Sequence, residues 1–410
     1  MKKNAIVGQS GGPTAAINAT LSGVIRGCLS SEKIETVFGM KNGIEGFLNE
    51  DFCVLNDLFK AEADFVKLEK TPAAALGSCR KKLPSPNTDK IDEISIYNKI
   101  FSILERYDIG YFFYIGGNDS MDTIRKLSAF ADRICSEIKF VGVPKTIDND
   151  LVSTDHTPGY GSAAKFIATT VSEIMMDTAV YKTKAVTIVE IMGRDAGWLT
   201  ASAGLPSLLG LPAPDLVYLP EVSFSLEAFI NDIKSLFEKK PNLVVAISEG
   251  IRYENGKYIS EDDSIVRTDA FGHKALGGAG RTLENYLRDT LGCKARCVEI
   301  SLLQRCAAHL ASATDISESI RIGKFAVESA LEGRTACMVS LKRNASSEYS
   351  VTLETVDVNS VANAVRAVPR DFINESGNYV TKECLEWILP LIQGESITDF
   401  SSGLPNHFII

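Results

Sequence analysis

The chain has 410 residues, 45% of them apolar, and a formal net charge of −9 at neutral pH. This length and composition predict a globular protein with two or three domains. The acidic balance argues against nucleic acids and membrane surfaces as partners, since binding a polyanion needs a local excess of Lys and Arg. Small anionic ligands are compatible with it, because they need only a pocket of hydrogen-bond donors.

The amino terminus and the cysteines predict a cytoplasmic protein. The sequence MKKNAIVGQSGG has too short an apolar run before its glycines for a signal peptide. No stretch approaches the roughly 18 apolar residues of a membrane helix. The nine cysteines show no zinc-ligand spacing, so we expect reduced thiols.

Short apolar runs alternate along the chain with segments of helical periodicity. The runs that we predict as strands are Ala5–Val7, Tyr111–Ile115, Phe140–Val143, Val186–Ile191, Leu243–Ile247 and Cys337–Leu341. Helical spacing is found at Ile17, Leu21 and Val24, and again at Ile167, Val171 and Ile174. Such alternation predicts an α/β fold with parallel sheets, in which functional loops lie at the carboxyl ends of the strands.

The first predicted strand ends in a glycine-rich loop directly before a helix. Its sequence is Gly8-Gln9-Ser10-Gly11-Gly12-Pro13-Thr14. Glycines let a backbone approach a ligand closely, and a helix amino terminus offers N–H groups to a phosphate. The loop matches neither the Walker nor the dinucleotide spacing. A plain strand-to-helix turn is therefore an equally good interpretation of this loop alone.

Two further strands end in polar sequences. They are Ile115-Gly116-Gly117-Asn118-Asp119-Ser120 and Pro144-Lys145-Thr146-Ile147-Asp148-Asn149-Asp150. In an extended segment Asp148 and Asp150 point to the same side, where they can hold a metal or share base and orienting roles. Thr146 can donate to a phosphate, and Lys145 supplies a positive charge. The alternative is a solvated turn with an Asp cap. Three glycine-rich or acidic strand ends in one chain favour a shared site over three unrelated turns.

Seven segments together carry a family resemblance. In chain order they are GQSGGPTAAIN, LGSCR (Leu76–Arg80), IGGNDS, PKTIDND, IVEIMGRDAG (Ile188–Gly197), SEG (Ser248–Gly250) and LLQR (Leu302–Arg305). Their order and approximate spacing resemble the phosphofructokinase family from residue 4 to about residue 341. PKTIDND and MGRDAG are highly specific, so their joint occurrence by chance is negligible.

The resemblance implies two doubly wound α/β domains with mainly parallel sheets and an active-site cleft between them. Residues 1–160 and about 304–365 would form a larger domain that binds the donor phosphates. Residues from about 161 to 303, with the C-terminal segment, would form a smaller domain that binds the sugar phosphate. A homo-oligomer, at least a dimer, is also implied, because the family completes its sugar-phosphate site from a neighbouring subunit.

By the same resemblance, the reacting groups lie in PKTIDND. Asp148 looks like the base that takes the proton from the 1-hydroxyl of fructose 6-phosphate, with Asp150 near a Mg²⁺ ion. Thr146 would lie near the phosphoryl group in flight, with Lys145 beside it. Phosphoryl transfer needs positioning and charge neutralisation more than covalent chemistry, so a base, a metal ion and several cations suffice.

The implied binding residues divide between the donor and the sugar. Gly11 and Arg80 would hold the donor phosphates. The residues implied for the sugar phosphate are Met192, Gly193, Arg194, Glu249, Arg305 and Arg296, the last contributed by a neighbouring subunit. An arginine chosen without context is usually a surface residue, so the matching flanks of Arg194 and Arg305 are what favour a role in the site.

Three positions depart from the family pattern. Asn118 stands where the family usually has an Asp that binds the metal, so Asp119 would take over part of that role. Leu302 replaces an expected active-site His. Ala185 replaces a second cross-subunit arginine, which leaves Lys184 as the candidate for that contact. His273, in FGHKALGG, is interpreted as a structural imidazole.

Asp119 and Lys145 together predict pyrophosphate as the phosphoryl donor. ATP-using bacterial members resemble GGDGS and PGTIDND, with glycine at both positions. Asp119 would put a carboxyl group where the α-phosphate of a nucleotide lies, which opposes ATP by bulk and by like charge. Lys145 also occurs in some ATP-using relatives, so the prediction depends on the pair.

Three alternatives stay open. An ATP-dependent phosphofructokinase would share every residue except this donor gate. A non-catalytic, sugar-phosphate-binding regulatory subunit fits Asn118 and Leu302, but not the retention of Asp148 and Arg194. A pyrophosphate-linked kinase of another ketose phosphate, such as sedoheptulose 7-phosphate, is compatible with the same residues.

Overall fold

The structure, a computed structural model, describes residues 2–262 and 278–410. His273 lies outside the described residues. Strands and helices alternate along the described chain and form two mainly parallel sheets. The prediction of an α/β fold is confirmed.

The strands form two larger sheets and one short hairpin. They are β1 (Lys3–Gln9), β2 (Ile34–Met40), β3 (Phe52–Val54), β4 (Ile109–Gly116), β5 (Lys139–Pro144), β6 (Ala185–Ile191), β7 (Leu216–Tyr218), β8 (Asn242–Ser248), β9 (Lys294–Glu299), β10 (Cys337–Arg343), β11 (Val351–Asp357), β12 (Phe400–Ser401) and β13 (Leu404–Pro405). Each apolar run that was predicted to be a strand lies within one of them.

The helices cover the faces of the two sheets. They are α1 (Ile17–Leu29), α2 (Gly43–Leu48), α3 (Leu55–Leu58), α4 (Glu62–Glu69), α5 (Ile91–Arg106), α6 (Asn118–Arg133), α7 (Tyr160–Ala179), α8 (Trp198–Ser202), α9 (Leu205–Leu208), α10 (Leu226–Phe237), α11 (Ala279–Leu291), α12 (Leu303–Cys306), α13 (Ala313–Leu331) and α14 (Lys382–Ile388). Short 3₁₀ helices span Ile259–Asp262, Ala308–Leu310, Val358–Ser360, Arg370–Phe372 and Leu389–Ile392. Within the described ranges, no helix has the length and apolar character needed to cross a bilayer.

The larger sheet has seven strands in the order β11-β10-β5-β4-β1-β2-β3. Its five central strands are parallel, and an antiparallel strand closes each edge. Neighbouring residues of β4, Phe112 and Phe113, are both fully buried and belong to different apolar clusters. A parallel sheet covered by helices on both faces explains why these strands read as continuous apolar runs.

Helices α1 and α13 meet on one face of the larger sheet at a pair of glycines. A Cβ on Gly23 would lie 2.2 Å from the carbonyl oxygen of Ile320, and one on Gly323 would lie 2.3 Å from that of Thr20. Any side chain at either position would collide with backbone, so glycine is what allows the two helices to approach. The contact joins segments about 300 residues apart in sequence.

The smaller sheet has four parallel strands in the order β7-β8-β6-β9. Helix α14 packs in the core beside this sheet, where Leu385 and Ile388 share an apolar cluster with Trp198. The last residues of the chain lie elsewhere: Phe408 stacks on Phe59 with ring centroids 5.0 Å apart. The C-terminal segment that was predicted to join the smaller domain is thus divided between the two sheets. The domain boundaries themselves stay a prediction.

Candidate active site

Three loops meet at one edge of the larger sheet, because β1, β4 and β5 are parallel neighbours. They are the loops that follow Gln9, Gly116 and Pro144. Together with loops from the carboxyl ends of β6 and β8, they line a cavity of about 450 Å³. The cavity therefore lies at the carboxyl ends of strands from both sheets, where ligands of open α/β sheets bind.

Most of the predicted site residues line this cavity. They are Gly11, Arg80, Asn118, Asp119, Lys145, Thr146, Asp148, Asp150, Met192, Arg194, Glu249 and Arg305. Gly193 lies beside them, with its N–H donating to Glu249 Oε1 at 3.4 Å. The strand-end loops thus bring together residues that are far apart in sequence.

Lys184 and Arg296 lie away from the cavity. Lys184 directly precedes β6, and Arg296 of β9 pairs with Thr187 near the start of β6. Met192, which lines the cavity, follows the other end of β6. Since strand residues rise about 3.3 Å each, the two cations lie roughly 15–25 Å from the cavity of their own subunit. They take no part in the cavity that one subunit forms.

Lys145 is buried and connects the loop after β5 to the glycine loop. Its ammonium group donates to the carbonyl oxygens of Ser10 at 3.0 Å and Gly12 at 2.6 Å. Burial lowers the pKa of Lys145 to about 8, an effect that Asp148 opposes and Arg305 increases. A cation is thereby held against the backbone of the glycine loop.

Asp148 and Asp150 lie deep in the cleft, with part of each side chain open to the cavity. The hydroxyl of Thr146 donates to Asp148 Oδ2 at 3.4 Å and accepts from the N–H of Asp148 at 3.1 Å. Burial raises the pKa of both carboxyls, and the charge of Asp148 helps to raise the pKa of Asp150 to about 7. Lys145 opposes the rise at Asp148.

This carboxylate pair fits the chemistry of a magnesium site. Among the described residues, neither Asp148 nor Asp150 forms an ion pair, and the charges of nearby cations do not cancel the effect of burial, so a cation in the cavity would stabilise both carboxylates. Mg²⁺ is usually held by one or two carboxylates together with substrate phosphates. The described residues contain no group of three or more His, Cys, Asp or Glu side chains arranged to hold a metal ion.

Asn118 is bonded to the backbone of a distant segment. Its Oδ1 accepts a hydrogen bond from the N–H of Asn363, and its Nδ2 donates to the carbonyl oxygen of Ala364 at 2.5 Å. The carboxamide thus holds this distant segment against the start of α6, and the metal role of Asn118 stays a prediction. Asn363 and Val365 line the cavity too, although no motif in the C-terminal segment pointed to them.

Two further cations at the cavity were missed by sequence reasoning. Lys81 and Lys82 line it next to Arg80, and Lys82 Nζ lies 3.1 Å from Asp119 Oδ1. The side chain of Asp119 is 35% exposed, so this ion pair faces solvent at the cavity mouth. The run of three cations after LGSC is the signal that would have found them.

Arg194 and Glu249 stand on the side of the smaller sheet. Burial raises the pKa of Glu249 to about 7, and the charge of Asp148 contributes to the rise. Within the described residues, the Nε of Arg194 is buried without a hydrogen-bond partner. Buried polar groups normally find partners, so a polar ligand in the cavity would satisfy both side chains.

Arg305 reaches toward the glycine loop. Its Nη1 would lie 3.3 Å from a Cβ built on Gly12. Burial lowers the pKa of Arg305, and the nearby charge of Arg80 lowers it further. In this subunit Arg305 therefore belongs to the cation cluster that also contains Arg80 and Lys145, and its predicted contact with a sugar 6-phosphate stays a prediction.

Comparisons with known proteins agree with these motifs. A sequence model described as phosphofructokinase matches residues 4–329. A pyrophosphate–fructose 6-phosphate 1-phosphotransferase of Halomonas elongata is 40% identical over 98% of this chain and 94% of its own length. One of Methylococcus capsulatus is 36% identical over 99% of this chain and 95% of its own. A pyrophosphate-dependent phosphofructokinase of Nitrosospira multiformis has a crystal structure that superposes with a TM-score of 0.88 at 35% identity, covering 99% of this chain and 96% of that one. The chain belongs to the phosphofructokinase family.

Proposed function

We propose that the chain transfers a phosphoryl group from inorganic pyrophosphate to the 1-hydroxyl of fructose 6-phosphate. The products are fructose 1,6-bisphosphate and phosphate, in a reversible step of glycolysis and gluconeogenesis. The observation that carries the proposal is the place of Asp148, which lines the same cavity as Lys145 and Arg194, two cations that favour its charged form. Relatives named for this reaction match the chain over nearly its whole length.

The side of the cavity formed by the larger sheet suits a short polyanion. Arg80, Lys145 and Arg305 line it around the glycine loop, and fixed cations neutralise the charge that develops on a phosphoryl group in transfer. Asp119 stands on the same side and would repel the additional phosphate of a nucleotide. These charges support pyrophosphate, and not ATP, as the donor.

Asp148 would act as the general base. The sugar 1-hydroxyl would attack a phosphorus of pyrophosphate, the proton would pass to the Asp148 carboxylate, and the bond to the bridging oxygen would break to release phosphate. Burial opposes the ionised form of Asp148, whereas Lys145, Thr146 and Arg194 favour it. The surrounding cations thus keep a carboxylate available as a base in the cleft.

The sugar phosphate would lie on the side of the smaller sheet. Met192, Gly193 and Arg194 follow β6, and Glu249 follows β8, so the two loops face the same part of the cavity. The carboxyl of Glu249 can accept hydrogen bonds from sugar hydroxyls, and the unused Nε of Arg194 can donate one. This arrangement would place the 1-hydroxyl near Asp148.

Asp150, with Asp119 nearby, would hold Mg²⁺. When bound, the ion supplies charge neutralisation to the oxygens of pyrophosphate. Asp150 is the better candidate, since burial and the charge of Asp148 raise the pKa of its carboxyl and the opposing effect of Lys145 is smaller. We expect activity to be lost on chelation with EDTA and to return with added Mg²⁺.

We also propose a homo-oligomer, at least a dimer, with shared sites. Lys184 and Arg296 both lie toward the far end of β6, where they are out of reach of their own subunit's cavity. A neighbouring subunit would present them to its partner's sugar 6-phosphate. Arg296→Ala should raise the KM for the sugar phosphate with little change in kcat, since it removes a charge-assisted contact.

A cytoplasmic location is part of the proposal. All nine cysteines are free thiols, four of them buried, and unpaired thiols suit a reducing compartment. Fractionation of cells that express the untagged chain, with immunodetection of each fraction, would test the location.

The central test supplies pyrophosphate and ATP separately with fructose 6-phosphate and measures product formation. We expect kcat/KM with pyrophosphate to exceed that with ATP by about 100-fold or more. A preference for ATP would contradict the proposed donor. Binding of fructose 6-phosphate without turnover of either donor would indicate the regulatory alternative, and a parallel assay with sedoheptulose 7-phosphate would compare the acceptors.

A further inference from the structure

Residues 363–366 cross one wall of the cavity between two anchors, and we name them the strap. They belong to neither a helix nor a strand. Asn363 has a backbone φ of 66°, in the left-handed region, and both Asn363 and Val365 line the cavity. An irregular segment that forms part of a cavity wall must be held by specific bonds, because it lacks the ladder of a regular element.

The first anchor is the side chain of Asn118 at the start of α6. Its carboxamide forms two hydrogen bonds with the strap backbone: the amide oxygen accepts from the N–H of Asn363, and the amide nitrogen donates to the carbonyl oxygen of Ala364. The side chain of Asn363 donates in turn to Asp122 Oδ1 at 3.2 Å. An Asp at position 118 would lose the donor and turn a second acceptor toward the oxygen of Ala364.

The second anchor is Arg366. Its N–H donates to the carbonyl oxygen of Asp150 at 2.7 Å, and its guanidinium donates to the carbonyl oxygen of Asp155. The guanidinium carbon also lies 4.4 Å from the ring centre of Trp198, whose Nε1 donates to the oxygen of Arg366 at 3.0 Å. The strap is therefore bonded to the loop that carries Asp150 and to the core beside the smaller sheet.

Val365 lies between the two anchors. It is 49% exposed, an apolar side chain in a cavity whose other walls carry many charges. A valine offers no hydrogen bond or charge to a phosphate, so it contributes bulk. The strap begins against Asn118, the neighbour of Asp119, and thus places this bulk on the same side of the cavity as the proposed donor gate.

We infer that the strap limits the length of the phosphoryl donor, with Val365 occupying the space beyond two phosphates and Asn118 holding the strap in place. This inference rests on the proposed function. It assigns Asn118 as a positioning residue for donor specificity, in place of a metal ligand. Exclusion of longer donors would then combine repulsion by Asp119 with steric closure by the strap.

The test compares pyrophosphate with tripolyphosphate, which is longer by one phosphate and carries no base or sugar. The variants are Val365→Ala, which removes bulk, Asn118→Asp, and Asn118→Leu, which removes both hydrogen bonds without adding charge. We expect the ratio of kcat/KM for tripolyphosphate to that for pyrophosphate to rise about 10- to 100-fold in all three. The KM for fructose 6-phosphate should change less than twofold, which a general loss of structure would not allow.

Asn231→Asp is the matched control, since it makes the same chemical change at an exposed position of α10. It should leave the donor ratio unchanged. Unchanged ratios in Val365→Ala and both Asn118 variants would overturn the inference, as would equal losses for both donors together with a raised KM for the sugar. A wild type that prefers ATP would instead overturn the proposed function, so the two failures are distinguishable.

Discussion

Two groups of charged side chains follow β5 closely in sequence, and they are partnered in opposite ways. Asp148 and Asp150 face the cavity without an ion pair among the described residues. A few residues later, His156 lies between two carboxylates, with Nδ1 2.8 Å from Asp155 Oδ1 and Nε2 2.7 Å from Glu318 Oε2. The first group is open to ligands and the second is closed.

The closed group is surrounded by further partners. Arg343 donates to Asp155 Oδ1 at 3.0 Å and 3.2 Å, and the hydroxyl of Tyr349 donates to Glu318 Oε1 at 2.8 Å. These residues join the loop after β5 to β10 and α13. The network therefore fixes the far end of the loop whose beginning carries Asp148.

The pKa shifts record the difference between the two groups. In the cavity, burial raises the pKa of Asp150 to about 7, which disfavours its charged form. Burial would also lower the pKa of His156, but its hydrogen bonds with Asp155 and Glu318 outweigh this effect and raise the pKa to about 9. Buried charges with full sets of partners hold structure together, whereas those without partners are available to a substrate.

The largest expected effect tests the open group. Asp148→Ser should lower kcat by about 10²–10⁴-fold, as expected when a general base is lost, and leave thermal stability unchanged or improved. Asp155→Ser is the matched control, since the same change in the closed group should lower stability. Steady-state kinetics and thermal unfolding of both variants provide the comparison. Near-native turnover of Asp148→Ser would show that another group is the base.

The next effect tests the closed group. His156→Leu should lower the free energy of unfolding by about 3–5 kcal/mol, because it removes the cation that two carboxylates share and leaves Glu318 buried without a counter-charge. Urea unfolding would measure the loss. The double variant His156→Leu/Glu318→Leu should lose less than the sum of the two single changes. Additive losses would mean that the imidazole and Glu318 do not act as a pair.

The closed group also predicts a dependence of stability on pH. The pKa of His156 in the folded protein is raised to about 9 from an ordinary value of 6.5. Its charged ring therefore stabilises the fold fully below pH 6.5, and this contribution, about 3 kcal/mol, is lost as the pH rises through about 9. Subtracting the unfolding profile of His156→Gln from that of the wild type isolates the contribution. Parallel profiles between pH 6 and 10 would contradict the assignment.

The smallest effect concerns an ion pair intermediate between the two groups. Lys82 and Asp119 are paired but partly exposed at the cavity mouth, so solvent screens their attraction. Lys82→Ala should change the free energy of unfolding by less than about 1 kcal/mol, while the KM for pyrophosphate rises several-fold because a cation near the donor is lost. A large loss of stability with an unchanged KM would show that Lys82 has a structural role, like the residues of the closed group.

The open group could be predicted from the sequence, and the closed group could not. Lys145 and Asp148 follow an apolar run in one short motif. The carboxyl ends of parallel strands lie at a common edge of the sheet, so residues that follow such runs are expected to meet there. His156 acquires its meaning from Glu318, 162 positions away on a helix, and Asn118 acquires its meaning from an irregular segment 245 positions away. Neither partner carries a local pattern, so only the folded chain identifies the pairing.

The mutual glycines of α1 and α13 have a consequence for synthesis on the ribosome. Gly23 emerges early, but its partner Gly323 and strand β10, which pairs with β5 in the larger sheet, are made after three quarters of the chain. At about 5–20 residues per second, the apolar face of α1 waits roughly 15–60 s for its partner and the open edge of β5 roughly 10–40 s. Truncation before residue 337 should therefore give an aggregating fragment that requires chaperones, and not a smaller protein with partial activity.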